Sequence, residues 1–181
     1  MPNIPTGQGG NPVLVSDGVP GWAVYIGGIS QTTMFHNDVS IGAAEVAIYG
    51  PQWFASQILE GSYTVSLQPS TAGPLTTSGI GQTGQIPSTA ASVRFFGHGS
   101  FNLTFAGQQI PLVALGGTAG YTIFGGNISS FDNQTGELLF QGGGLLDNIF
   151  FSNQPIPEPS TVGLFGLSAV VLGWRFRRKR P

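Results

Sequence analysis

The sequence predicts an all-β body, an antiparallel β-sandwich, followed by a single C-terminal hydrophobic helix. Three observations carry this expectation. Short runs rich in Val, Ile, Tyr and Phe alternate at period two and are bounded by Gly, Asn and Ser. No window before the C-terminus has a helical apolar period. The last 25 residues are instead a Pro-rich break, an uncharged apolar run and a cluster of cations.

The strands are expected in order as follows. Trp22–Ile26 alternates large and small positions. Glu45–Tyr49 and Tyr63–Leu67 show period two. Ser92–Phe96 and Ser100–Phe105 do the same, with Phe101, Leu103 and Phe105 on one face. Gly107-Gln108 turns the chain into Ile110–Leu115. Tyr121–Phe124, Glu137–Phe140 and Leu145–Phe151 complete the set. The Ser-, Thr-, Gly- and Pro-rich stretch 68–88 reads as a long loop or an edge hairpin. Asp132–Glu137 reads as the turn before a strand, because its oxygen donors do not alternate as a calcium loop requires. Residues 1–152 thus form one domain, 153–160 a Pro-rich linker, 161–174 a transmembrane helix and 175–181 a basic cytoplasmic tail.

Composition supports a packed body. Charged residues are only 8 % of the chain and Gly is 29 of 181, yet 40 % is hydrophobic, with thirteen Phe. That apolar content is enough for a core. The absence of cysteine excludes thiol chemistry and Cys-based metal sites. Five of the six basic residues are Arg175, Arg177, Arg178, Lys179 and Arg180, and the sixth is Arg94. Residues 1–160 carry that one cation against eight acidic side chains, a net charge of −7. Such a body repels phosphates, so no nucleic-acid partner is expected.

The tail reads as an address. Pro155, Pro157 and Pro159 keep the linker extended, and Ser160 is placed to cap a following helix. Thr161–Trp174 is apolar all round, which suits lipid or a deep core. Its fourteen residues span only ~21 Å against ~30 Å of hydrocarbon. Trp174, Phe176 and snorkelling cations extend its reach. Arg175, Arg177, Arg178, Lys179 and Arg180 hold the cytoplasmic side and meet membrane lipid, so the body lies across the membrane. Export of the body calls for an N-terminal signal. Residues 1–10 have neither a cationic start nor an apolar run, so the signal is expected upstream of this sequence.

Pro157-Glu158-Pro159-Ser160, the apolar run to Trp174 and the Arg175–Arg180 cluster together resemble the PEP-CTERM sorting signal of Gram-negative bacteria. The resemblance implies an exosortase as partner, with Pro157, Glu158, Pro159 and Ser160 as its recognition residues. It also implies membrane anchoring before processing, then a cell-surface or extracellular location in bacteria that make exopolysaccharide. Within the body, Gly18–Trp22, Gly61–Gln68 and Gly144–Ser152 resemble galactose-binding-like jelly-roll domains. In that group a Gly-Trp pair enters a strand and a Leu-Asp-Asn-Ile strand closes the sandwich.

Candidate sites are few. Asp147 reads either as a calcium ligand or sugar contact, or as a polar residue steadying a strand end or a neighbouring turn. No other metal site and no cofactor is expected. Trp53, on an expected loop, is the aromatic best placed to stack on an exopolysaccharide ring, with Tyr25 and Tyr49 as further options. Trp22, at a strand start, is expected in the core. His98, between two glycines, reads as a hairpin-turn residue. It lies beside no Gly-x-Ser-x-Gly, and His36 has no metal-ligand partner at a recognisable spacing. The chain therefore reads as a non-enzyme: an exported envelope or matrix protein, with an exopolysaccharide-binding module as the alternative.

Overall fold

The computed structural model describes residues 2, 4 and 9–157. The expected helix 161–174, the basic tail, and Glu158, Pro159 and Ser160 lie outside the described residues. Among the described residues, no helix is long and apolar enough to cross a membrane.

The body is all-β, as expected. Its strands are β1 (Asn11–Leu14), β2 (Ala23–Ile26), β3 (Ile29–Gln31), β4 (Thr33–His36), β5 (Glu45–Tyr49) and β6 (Thr64–Gln68). They continue with β7 (Ser78–Gln85), β8 (Ser92–Phe105), β9 (Gln108–Ile110), β10 (Leu112–Gly117), β11 (Thr122–Asn127) and β12 (Thr135–Ser152). Two one-turn helices, α1 (Val15–Gly18) and α2 (Pro51–Phe54), interrupt them. The turn expected over 132–137 is shorter: Asn133 has positive φ, and β12 already begins at Thr135, so the second half of that stretch is strand.

The strands join in one sheet of order β1-β4-β5-β6-β12-β7-β2-β3, with β8, β9, β10 and β11 continuing from the other edge of β12. β12 organises it. Gly144–Leu146 pair with β6, Thr135–Gln141 pair with β7, and nearly the whole strand pairs with β8. The sheet therefore forks where β12 passes through Gly142, Gly143 and Gly144. One arm is β6-β5-β4-β1 and the other β7-β2-β3. Both arms contribute to one core: Val46, Ile48 and Leu67 from the first, Val24 and Ile80 from the second. Phe95, Leu103, Phe105, Phe140 and Leu146 fill the middle and are at most 1 % exposed.

Several expectations need correcting. The sheet is mixed rather than purely antiparallel, because β4 and β5 run parallel. Ser92–Phe96 and Ser100–Phe105 are one strand. His98 is therefore a mid-strand residue opposite Leu145, not a turn residue. Glycine does not break β8: Gly97 and Gly99 are ladder positions facing Leu146 and Gly144. For the same reason Glu137–Phe140 and Leu145–Phe151 are a single strand. The stretch 68–88 holds β7, an inner strand between β12 and β2. Trp22 is half-buried at the edge of the core, tilted over Phe140 with ring centroids 6.0 Å apart.

One buried polar position carries a pH dependence. Glu45 is 7 % exposed and its Oε1 has no hydrogen-bond partner among the described residues. Burial, and secondarily the negative charge of Asp38, push its carboxyl from 4.5 up to about 7. Between those values the unfolded chain gives up this proton while the folded chain keeps it, so stability falls as pH rises and the penalty saturates above about 7. Glu45→Gln is expected to remove that penalty. In urea titrations the wild type should lose on the order of 1–2 kcal/mol relative to the variant between pH 5 and pH 8, after allowance for solvent screening. Equal pH dependence in the two proteins would refute this origin.

Candidate functional site

Period-two alternation sends Phe95, Leu103 and Phe140 inward and their neighbours outward. On the outer face this builds a cross-strand row. Ser66 on β6 faces Leu145 on β12, and Leu145 faces His98 on β8. Tyr121, just before β11, continues the row, since Thr122 pairs with Gly97. The row is the floor of an open groove of about 630 Å³. Ser56, Gln57, Ile58 and Leu59 line it, as do Thr118, Ala119 and Gly120, and Tyr49 and Gln68 complete it.

Two aromatic pairs brace the groove. Tyr121 stacks on Phe96 with centroids 4.4 Å apart and planes at 7°. Tyr49 stacks on Phe54 at 4.1 Å and 9°. The Tyr49 ring is only 3 % exposed, so Tyr121 is the more accessible platform. Burial raises the Tyr49 phenol above its usual range, so it stays protonated at neutral pH. Its oxygen accepts from Gln68 Nε2 at 3.4 Å. Among the described residues, no Asp, Glu, Lys or Arg lines it. Amides, hydroxyls, one imidazole and a braced ring can bind a neutral, hydroxyl-rich ligand.

The residues singled out from sequence fall elsewhere. Trp53 lies on α2 rather than a loop, is 64 % exposed, and is not part of the groove. Tyr25 lies on β2, where its hydroxyl donates to Glu137 Oε1 at 2.5 Å. That hydrogen bond, with burial and the Glu137 charge, raises its pKa.

Asp147 sits where the β8–β12 register shifts. Its Oδ2 accepts from Thr64 Oγ1 at 2.8 Å and from the Glu60 amide at 3.2 Å, and its Oδ1 accepts from the Asn148 amide at 2.8 Å. Asn148 Nδ2 in turn donates to Glu60 Oε2 at 2.7 Å. This network ties the 60–64 segment to β12 at its register shift, inside the strand rather than at its end. Asp147 also lines a second cavity of about 500 Å³ beside Trp22 and Tyr63. Among the described residues, no three His, Asp or Glu side chains gather as a metal site.

Sequence reading missed Tyr121, Gln68, Gln57 and the floor position of His98. The outward position of Ser66 and Gln68 was implicit in their alternation with buried Leu67. The approach of the 56–59 and 118–121 segments had no sequence signal.

Past Ser152, where β12 ends, the chain runs through Pro155 to Pro157, which is exposed. Compared with known protein families, residues 155–179 match the PEP-CTERM protein-sorting motif. The chain carries a PEP-CTERM sorting signal. This signal implies an exported protein, anchored at the membrane before processing, with an exosortase as its processing partner. The PEP-CTERM match begins three residues after the last strand. No curated protein and no solved structure matches the chain.

Proposed function

We propose that this is a non-enzymatic protein of the cell envelope or extracellular matrix of a Gram-negative bacterium, delivered by its C-terminal signal. Pro157, Glu158, Pro159 and Ser160 are read by the exosortase. Residues 161–174 span the membrane, and Arg175, Arg177, Arg178, Lys179 and Arg180 hold the cytoplasmic side. The observation that carries this reading is the PEP-CTERM match at 155–179, directly after a folded β body. Intact mass by cell fraction tests it, in a strain with an exosortase and in the same strain without it. A surface or secreted form lacking the residues beyond the motif, present only with the enzyme, is expected. Full-length chain in the cytosol of both strains would overturn it.

The outer-face groove favours a second reading, in which the delivered body holds neutral exopolysaccharide. Its volume lies in the range of ligand sites, its lining is uncharged, and the Tyr121 ring offers an apolar face for sugar C–H groups. Tyr121→Ala should weaken glycan binding by about tenfold or more, about 1.4 kcal/mol, in titration calorimetry. Trp53→Ala should leave it unchanged. The reverse pattern would move the site to α2.

A further inference from the structure

The segment just before the sorting motif is fastened to the body. After Ser152 the chain bends back across the outer face of β8 and β11. The Gln154 carbonyl accepts from Ser92 Oγ at 2.7 Å and from Arg94 Nη2 at 3.3 Å. Arg94 Nε also donates to Ser92 Oγ at 3.3 Å, which steadies the pair. The Gln154 amide donates to Ser152 Oγ at 3.1 Å. Arg94 is the one cation of residues 1–160, and it is spent on this carbonyl.

Two residues further on, Ile156 is half-buried between exposed Pro155 and Pro157. Its seat is Gly125, the register partner of Arg94. A Cβ at Gly125 would come 2.6 Å from Ile156 Cδ1 and 2.6 Å from Leu115 Cδ1. The missing side chain is therefore what lets Ile156 lie down beside Leu115.

We propose that this fastening is a strap that restrains processing at the sorting motif. The inference rests on the exosortase reading above. With Ile156 seated, only Pro157–Ser160 separate the body from the apolar run. Four extended residues reach about 14 Å at most, whereas a body of this size has a radius of gyration of about 15 Å. A membrane-embedded enzyme then meets the motif under a bulky domain. Release of 153–156 doubles the free tether and opens the backbone on the body side of the motif. The enzyme therefore acts on the fraction of chains whose strap is open.

Gly125→Ala and Arg94→Ala test this from within the body, leaving the motif untouched. Processing of the full chain is followed by pulse-chase in the exosortase strain. Hydrogen exchange at 153–156 is read on full-length chain from the strain lacking the enzyme, with exchange in β8 and β12 reporting that the body stays folded. Each variant is expected to exchange faster at 153–156 and to be processed about three- to tenfold faster, the effect of losing one net hydrogen bond or its equivalent in packing. Faster exchange with unchanged or slower processing would overturn the strap. So would a wild-type Gln154 amide that already exchanges at the unfolded rate. Wild-type chain left uncut by the enzyme would sink the sorting reading itself, and the strap with it.

Discussion

Phe95→Ala is expected to destabilise the body by about 3–5 kcal/mol. Phe95 is fully buried and touches three other rings. It packs edge-on against Phe140 at 5.1 Å and Phe101 at 5.4 Å, and stacks on Phe124 at 5.3 Å. Its removal leaves a cavity among rings held by β8, β11 and β12, which cannot all close in. Domains of this size are stable by about 5–15 kcal/mol, so the variant should lose a large share of its urea midpoint. Trp53→Ala, on the exposed α2, should shift it by less than about 0.5 kcal/mol. A small effect at Phe95 would mean that the aromatic cluster is not the centre of the core.

The second large effect is expected at a glycine. Gly144 has φ +142°, and a Cβ there would run into the His98 carbonyl oxygen and lie 2.9 Å from Gly99 Cα. Backbone strain and collision with a ladder partner add, so Gly144→Ala should cost about 2–4 kcal/mol. The neighbouring Gly143 supplies the control. It is not among the positive-φ residues, and its added Cβ would meet only the Pro69 ring, at 3.2 Å. Gly143→Ala should cost less than about 1 kcal/mol. Equal urea midpoints for the two variants would show that the fork in the sheet does not depend on the close approach of β8 and β12.

These glycines also explain what the sequence did and did not reveal. Apolar alternation located β5 at Glu45–Tyr49 and found the cores of β2, β6 and β11 within a residue or so. It failed wherever glycine took ladder positions. Gly97 and Gly99 split one long strand into two apparent ones, Gly142–Gly144 did the same to β12, and β7 (SGIGQTGQ) read as part of a long loop or an edge hairpin rather than an inner strand. Glycine signals a turn by default, yet here it admits close strand approach that a side chain would block. Parallel pairing of β4 with β5 left no trace either, since pairing direction depends on a connection rather than a pattern. At the site, Asp147 was singled out in the sequence, but its place at a register shift within β12 was not legible. Nor was the groove, because segments far apart in sequence make it.

The place of β12 bears on the order in which the body takes shape. Among the described residues it is the last strand to be synthesised, yet it pairs with β6 and β7 along one edge and with β8 along the other. Until it arrives, β1, β4, β5 and β6 have no ladder to β7, β2 and β3. Pairings this distant in sequence are slow to form, and this one waits for all the other strands of the described body to emerge. A body exported as an unfolded thread would thus stay threadable until its final strand crosses. The sorting signal follows within a few residues, so closure of the sheet and emergence of the signal would fall at nearly the same moment.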